Sequence, residues 1–336
     1  MKSFSRWSIV FAAFVILVSA SAFAPVPSAG IAQAATEVAY PPGSFPRNIK
    51  DSIGTAITLP AKPVRIVSAY LGADEVLFSL VDPSRIVAVT SFALDPAISN
   101  VVEQAKKIPN QLAKTDPEAI ISYKPDLVLI SSFTDAGVIK QLRDAGLPVF
   151  LLANYNTIKD IEDNITLIGV ATGDEAQASA IVATMERKFA AVAQAVKNVK
   201  PLTVMYYSPD GYSDGPGTTI NEVFMRAGGI NVVVAGGVKD PFPQLNDEFV
   251  VTQDPDVILL AGYNSYAPGF LDKFNKNPSF QTLKAIKNKR VYVSNDAHLS
   301  AVSQYIADGV SDVAAVLYPD VYQPTPEATM SATTTP

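Results

Sequence analysis

From Val64 onward, short unbroken apolar runs alternate with longer stretches whose apolar positions recur every three or four residues. VRIVSAY (64–70), RIVAVT (85–90), DLVLI (126–130) and LPVFLL (147–152) are short and continuous, the pattern of strands buried on both faces. Between them, 73–81, the region near 96–106, 135–146 and 157–171 have helical spacing. The alternation restarts with LTVMYYS (202–208) as a strand and 218–227 as a helix. It continues with a helical region at 269–287, the strand RVYVS (290–294) and a last helix near 299–317. Strands alternating with helices predict an α/β sandwich with a mostly parallel sheet.

One segment interrupts this rhythm. Residues 173–201 are Ala-rich, with no Pro or Gly between 174 and 200. Ile181, Met185, Phe189, Val192, Val196 and Val199 fall on one stripe. The stripe predicts a single helix, some 26 residues long and roughly 39 Å from end to end. The fold class expected is therefore α/β with two lobes, each an α/β sandwich with a mostly parallel sheet, joined by one long helix. The boundaries are 61–172 for the N-terminal lobe, 173–200 for the linking helix and 201–320 for the C-terminal lobe.

The two lobes share an echo. EAIISYKPDLVLI (118–130) and EFVVTQDPDVILL (248–260) each place Pro seven residues after a Glu, then Asp, then an apolar run. In the first copy, Thr115 and Glu118 match the T-x-x-E capping box, and the helix must end before Pro125. In the second, Asn246 is the expected cap and Pro255 the stop. A helix packed on the strand that follows it runs antiparallel to that strand. Its N-terminus, with its glutamate, then lies at the strand's C-terminal edge, where open α/β sheets bind ligands. Glu118 and Glu248 would flank the mouth of a cleft between the lobes. Helix capping and complementing the helix dipole account for either glutamate taken singly; one in each lobe points to a shared surface role.

Composition narrows the chemistry. The net charge of −6 argues against a nucleic-acid partner. The lack of cysteine excludes disulfides, thiol nucleophiles, Cys-ligated metal and a lipidated cysteine. With one histidine, a bare metal site is not expected. Lys2 and Arg6, the apolar stretch 7–24 and Ala32-Gln33-Ala34 predict a signal peptide over 1–34, with an uncleaved anchor as the alternative. Residues 35–60 are expected to form an extended leader, and the Pro/Thr-rich 321–336 a disordered tail. The chain is thus expected to work outside the cytoplasm, periplasmic or on the outer face of the cell membrane.

Several segments, taken in order, resemble the solute-binding proteins of ABC importers for ferric siderophores, haem and cobalamin. They are residues 51–90, PEAIISYKPDLVLI, the long helix, NEVFMRAGGINVV (221–233), NDEFVVTQDPDVILL and LKAIKNKRVYVSNDA (283–297). The resemblance implies a non-enzymatic binding protein, a monomer without cofactor, holding its ligand between the lobes. It also implies that Glu118 and Glu248 meet arginines of a permease dimer.

The predicted strand ends are rich in tyrosine, whose flat face and hydroxyl suit a large amphipathic ligand. The ligand-binding candidates are Tyr70, Ser132, Tyr155, Tyr207, Tyr212, Tyr263, Tyr266 and His298, although core packing accounts for any one of the tyrosines equally well. His298 could ligate a chelated metal or simply occupy a helix start. Basic residues are scarce at these ends, which favours a neutral hydroxamate siderophore or a corrinoid over an anionic chelate. Loops could still deliver Arg47, Arg143 or Arg226. GPGTT (215–219) reads as a turn before a helix. Two other functions remain open: a bilobed ligand sensor or scaffold, and an exported hydrolase using Ser131 or Ser132 with His298. The hydrolase lacks a G-x-S-x-G elbow.

Overall fold

Alternation begins earlier than 64. In the computed structural model, which describes residues 41–263 and 267–324, β1 (Arg47–Lys50) and β2 (Ala56–Leu59) pair antiparallel. The expected extended leader therefore contains a hairpin. Pro41, Pro42 and Pro46 lie upstream of the strands and Pro60 just past them, while Arg47, Ile49, Ile57 and Leu59 alternate inward. The Asp51 carboxylate accepts the N–H groups of Ile53 and Thr55 and closes the turn. The expected signal peptide, Tyr266 and residues 325–336 of the expected tail lie outside the described residues.

The N-terminal lobe comprises β3 (Ile66–Ser68), α1 (Leu71–Leu80), β4 (Ile86–Thr90), α2 (Val102–Ala105), β5 (Gln111–Leu112), α3 (Pro117–Ser122), β6 (Leu127–Ser131), α4 (Ala136–Asp144), β7 (Val149–Leu152) and α5 (Ile158–Thr172). Its sheet order is β5-β4-β3-β6-β7, with every pair parallel. The helix expected near 96–106 shrinks to α2, because Asp95 folds 95–99 into turns, taking the N–H of Ala97 on its side chain.

After α6 (Glu175–Val196), the C-terminal lobe comprises β8 (Leu202–Tyr207), α7 (Thr219–Arg226), β9 (Gly229–Asn231), α8 (Val232–Ala235), α9 (Asp247–Gln253), β10 (Val257–Leu260), α10 (Ala267–Lys276), α11 (Lys284–Lys287), β11 (Val291–Val293), α12 (Asp296–Leu299) and α13 (Ile306–Leu317). The order is β11-β10-β8-β9, again all parallel. The helical region at 269–287 is broken by a 3-10 turn at Pro278–Phe280, and the last helix is split between Leu299 and Ile306. The three-residue β9 was not expected.

The repeated sentence has a structural meaning. Asp116, not Thr115, caps α3, accepting from Glu118 and Ala119 N–H with Pro117 in the first turn. Asn246 caps α9 as expected. In both copies the residue before Pro turns left-handed: Lys124 at φ 49° and Asp254 at φ 43°. The following Asp ties its strand to the neighbouring one. Asp126 accepts from the N–H groups of Val64 and Arg65, just ahead of β3. Asp256 accepts from Thr203 N–H and Oγ1 on β8. The echo is thus one device for starting a strand beside the first strand of its sheet, β3 in one lobe and β8 in the other.

Helix α6 buries Ala178, Ile181, Met185, Phe189 and Val192. At 22 residues it is shorter than the 26 expected, ending at Val196 in a turn that Val199 N closes onto Val196 O ahead of Pro201. Its N-terminus is clamped to the first lobe. Buried Arg47 donates to Val170 O and to Glu175 Oε1 at 2.6 Å, while Lys62 and Arg85 both pair with Asp174. Gly173 makes the joint at φ 72°, with the Phe45 ring only 2.6 Å from where a Cβ would stand. One hydrophobic core runs from β1–β2 through both lobes, with the α6 stripe in its middle.

Candidate functional site

In each lobe the strand order reverses next to its first strand, between β3 and β6 and between β8 and β10. The residues leaving those four strands at their C-terminal ends define the candidate cleft.

On the N-terminal side Tyr70 follows β3 and packs its ring on Tyr155, centroids 5.0 Å apart. Phe133, from the turn after β6, also stacks on Tyr155, with centroids 5.8 Å apart, and is 84% exposed. Tyr155 itself is buried, and its hydroxyl donates to Leu152 O. Burial pushes the Tyr155 phenol up to about 12, against a hydrogen bond with Ser131. Tyr70 is raised well above the usual phenol range, by burial first and then by Tyr155. The Tyr70 hydroxyl is buried without a partner among the described residues. Its ring lies 2.7 Å from the position of a Cβ on Gly72, and Val302 O lies 2.6 Å from it. The first turn of α1 therefore abuts the other lobe, and only glycine allows that approach. Ser132 is exposed, with its hydroxyl toward Ala153 O.

On the C-terminal side a cavity of about 410 Å³ is lined by Tyr206, Tyr212, Asp214, Phe242, Tyr263 and Ser300, together with Thr219 and Ile220 of α7. Two of the expected tyrosines, Tyr212 and Tyr263, thus meet here. Tyr206 and Asp214 lay in or beside the predicted strand-end segment but were not singled out; Phe242 lay outside every expected segment. Its loop is placed by β-like bonds, Ser213 N to Pro243 O and Gly215 N to Pro241 O. Gly215 is required there, since a Cβ would stand 2.1 Å from Asp240 O. GPGTT is therefore both the expected turn before α7 and part of the cavity's frame, with Thr218 as the cap.

Asp296 lies behind this wall and accepts from Gly262 N, Tyr263 N, Ser294 Oγ and Tyr206 OH. Burial still raises its carboxyl, and burial first, then the charge of Asp296, raises the Tyr206 phenol too. Asp214 is pushed up to about 6, by burial first, against a Thr218 hydrogen bond, with Asp296 adding.

The structure does not bring Tyr207 to the cavity. Alternation along β8 turns it to the opposite face, where it packs with Phe270, Phe274 and Phe280 in the second core. His298 is also elsewhere. Its Nδ1 lies 2.7 Å from Asp312 Oδ2 on α13. Burial pulls the imidazole down, but the hydrogen bond and charge of Asp312 outweigh it, so the net shift is upward. It is a pinned helix-start histidine, joined by hydrogen bond to neither Ser131 nor Ser132. The three arginines considered for delivery by loops are engaged elsewhere: Arg47 with Glu175, Arg143 with Asp51, and Arg226 with Glu222 over the Phe189 ring. Among the described residues, no group of three or more His, Asp or Glu could hold a metal ion.

Glu118 and Glu248 occupy the same position, second in their helices, and both are exposed. Neither carboxylate has a hydrogen bond or ion pair among the described residues. Glu118 lies beyond β5, and Glu248 follows the segment whose Gln244 bridges Tyr212.

Residues 66–297 match the family described as periplasmic binding protein. The chain is 33% identical over 260 residues to a cobalamin-binding protein of Halobacterium salinarum, spanning 76% of this chain and 68% of that one. It is 26% identical over 292 residues to YvrC of Bacillus subtilis, an uncharacterized ABC transporter substrate-binding lipoprotein, spanning 83% and 88%. The periplasmic haem-binding protein RhuT from Roseiflexus sp. RS-1, in apo form, shares the fold. Its TM-score is 0.67 at 24% identity, over 76% of this chain and 98% of that one.

Proposed function

The chain belongs to the periplasmic binding protein family, and from that premise we propose that it captures a corrinoid between its lobes and presents it to an ABC importer permease. The observation that carries the choice of cargo is the wall of the cavity. It is built of aromatic faces, hydroxyls and a carboxylate, with no Lys or Arg among the lining residues. Flat rings suit a macrocycle and polar edges suit its amide side chains. An anionic catecholate or citrate chelate would meet Asp214 with no cation to offset it. The name of the H. salinarum relative, a cobalamin-binding protein, points the same way. A neutral ferric hydroxamate satisfies the charge condition but makes less use of the aromatic faces.

The described residues contain no helix long and apolar enough to cross a membrane. Capture outside the cytoplasm, without catalysis, is the role assigned. Glu118 and Glu248 are proposed as the two permease contacts, because each is exposed and unpaired at the same place in its lobe.

Isothermal titration of the full chain with cyanocobalamin, haem, a ferric trihydroxamate and a ferric tris-catecholate tests the cargo. Saturable submicromolar binding is expected for cyanocobalamin. Binding of the catecholate in its place would sink the assignment.

A further inference from the structure

The two buried acids of the C-terminal wall are not equivalent. Asp296 has four donors on its carboxylate and is committed to holding Gly262–Tyr263 and Tyr206 in place. Asp214 is the acidic residue that lines the cavity. Its backbone is fixed, with Asn231 Nδ2 donating to its carbonyl and Gly215 wedged against Asp240. Its carboxylate, however, has little to do. The neighbouring Thr218 hydroxyl has one proton, which it shares with Gly215 O. A carboxylate offers about four acceptor sites, so most of those on Asp214 are left for whatever fills the cavity. The charged group facing it is another acid, Asp296, with Asp210 beyond Tyr263 and Tyr206 and Tyr263 as the phenols of the same wall. A rigid acceptor that no cation among the described residues neutralises is an arrangement for receiving N–H donors.

We propose that Asp214 is a specificity-determining residue, whose carboxylate accepts hydrogen bonds from neutral or cationic N–H groups of the ligand and turns anionic chelates away. The proposal rests on the corrinoid reading, in which the donors are the amide side chains of the corrin rim. Because burial raises the free Asp214 carboxyl, such a ligand must favour its ionised form. The sign follows: donors lower the carboxyl's pKa in the complex, binding below that midpoint releases a proton, and affinity climbs as pH rises through about 6, then levels off.

The test is cyanocobalamin titration of the full chain and its Asp214→Asn variant, at pH values below, at and above that midpoint. A ferric tris-catecholate serves as the anionic probe. The wild-type chain should bind cyanocobalamin more tightly as pH rises and refuse the catecholate. Asp214→Asn keeps the shape but loses charge-assisted acceptance. It should lose about tenfold in affinity above the midpoint, show a flattened pH profile, and bind the catecholate better than wild type. Asp214→Ser, with thermal melting of all three proteins, guards against a folding defect; removing a buried charge should leave the melting temperature unchanged or higher. Wild-type binding of cyanocobalamin with equal affinity and an equal pH profile in Asp214→Asn would overturn the role of Asp214 and leave the corrinoid reading standing. Failure of the wild-type chain to bind cyanocobalamin at any pH would overturn both.

Discussion

Two aspartates show how one residue fixes architecture. Asp126 and Asp256 follow prolines at matching places in the repeated sentence, and each gathers donors from the strand beside it. Their surroundings differ. The Asp126 bonds are exposed, so water can replace them, whereas those of Asp256 to Thr203 are partly buried and reciprocated by Asp256 N to Thr203 Oγ1. Leaving buried donors unmet costs more than leaving exposed ones. Asp256→Ala should therefore lower the unfolding free energy by about 2–3 kcal/mol and Asp126→Ala by about 1 kcal/mol, as read from urea denaturation. Equal small losses would refute that difference. The sequence showed both aspartates but not what they bind, since the partners lie about 60 and 50 residues away. Tyr206 and Tyr207 mark the same limit: clustering after a strand shows that a tyrosine is near the cleft, and only alternation along β8 decides which one faces it.

At the scale of elements, long periodic segments were legible and short ones were not. The stripe of α6 could be read because Ile181, Met185, Phe189 and Val192 must all be buried on one face. Helices α2, α8, α11 and α12, at four residues each, have too little length for periodicity to show. The cap of α3 was misplaced by one residue, because Asp116-Pro117 offers a better start than Thr115: an acceptor for two N–H groups, then a residue with no N–H to satisfy. With that start, Glu118 is second in α3, as Glu248 is second in α9. Asp116 and Asn246 already do the capping, so neither glutamate is needed for it. Each still complements the dipole of its helix from the first turn, so the docking role is a proposal for the double variant to test. Glu118→Arg with Glu248→Arg should abolish ligand uptake by cells carrying the importer and leave ligand affinity unchanged. Normal uptake by the double variant would remove the docking role.

At the scale of the whole molecule, the bonds between the lobes limit how far they can move. Glu75 of α1 accepts from Ser303 Oγ, Asn100 Nδ2 donates to Ala297 O, and Glu222 of α7 accepts from Ile158 N at the start of α5. The Phe189 ring sits in the shared core with Arg226 over it. Hydrogen bonds to charged groups are worth about 1.5–3 kcal/mol each and a neutral one about 1 kcal/mol, so these three alone hold roughly 4–7 kcal/mol. A ligand bound at submicromolar to nanomolar Kd supplies about 8–12 kcal/mol in total. A wide hinge rotation would have to break those bonds and also expose part of the continuous core, and the ligand has too little differential energy to drive that. Ligand should therefore close the cleft only slightly, by adjustment of the loops that carry Phe133 and Phe242, the most exposed rings of the two walls. Crystal structures of the ligand-free and ligand-bound protein decide the matter: superposable lobes with shifted loops are expected, and a lobe rotation of tens of degrees would show that the bonds across α6 yield more easily than their burial implies.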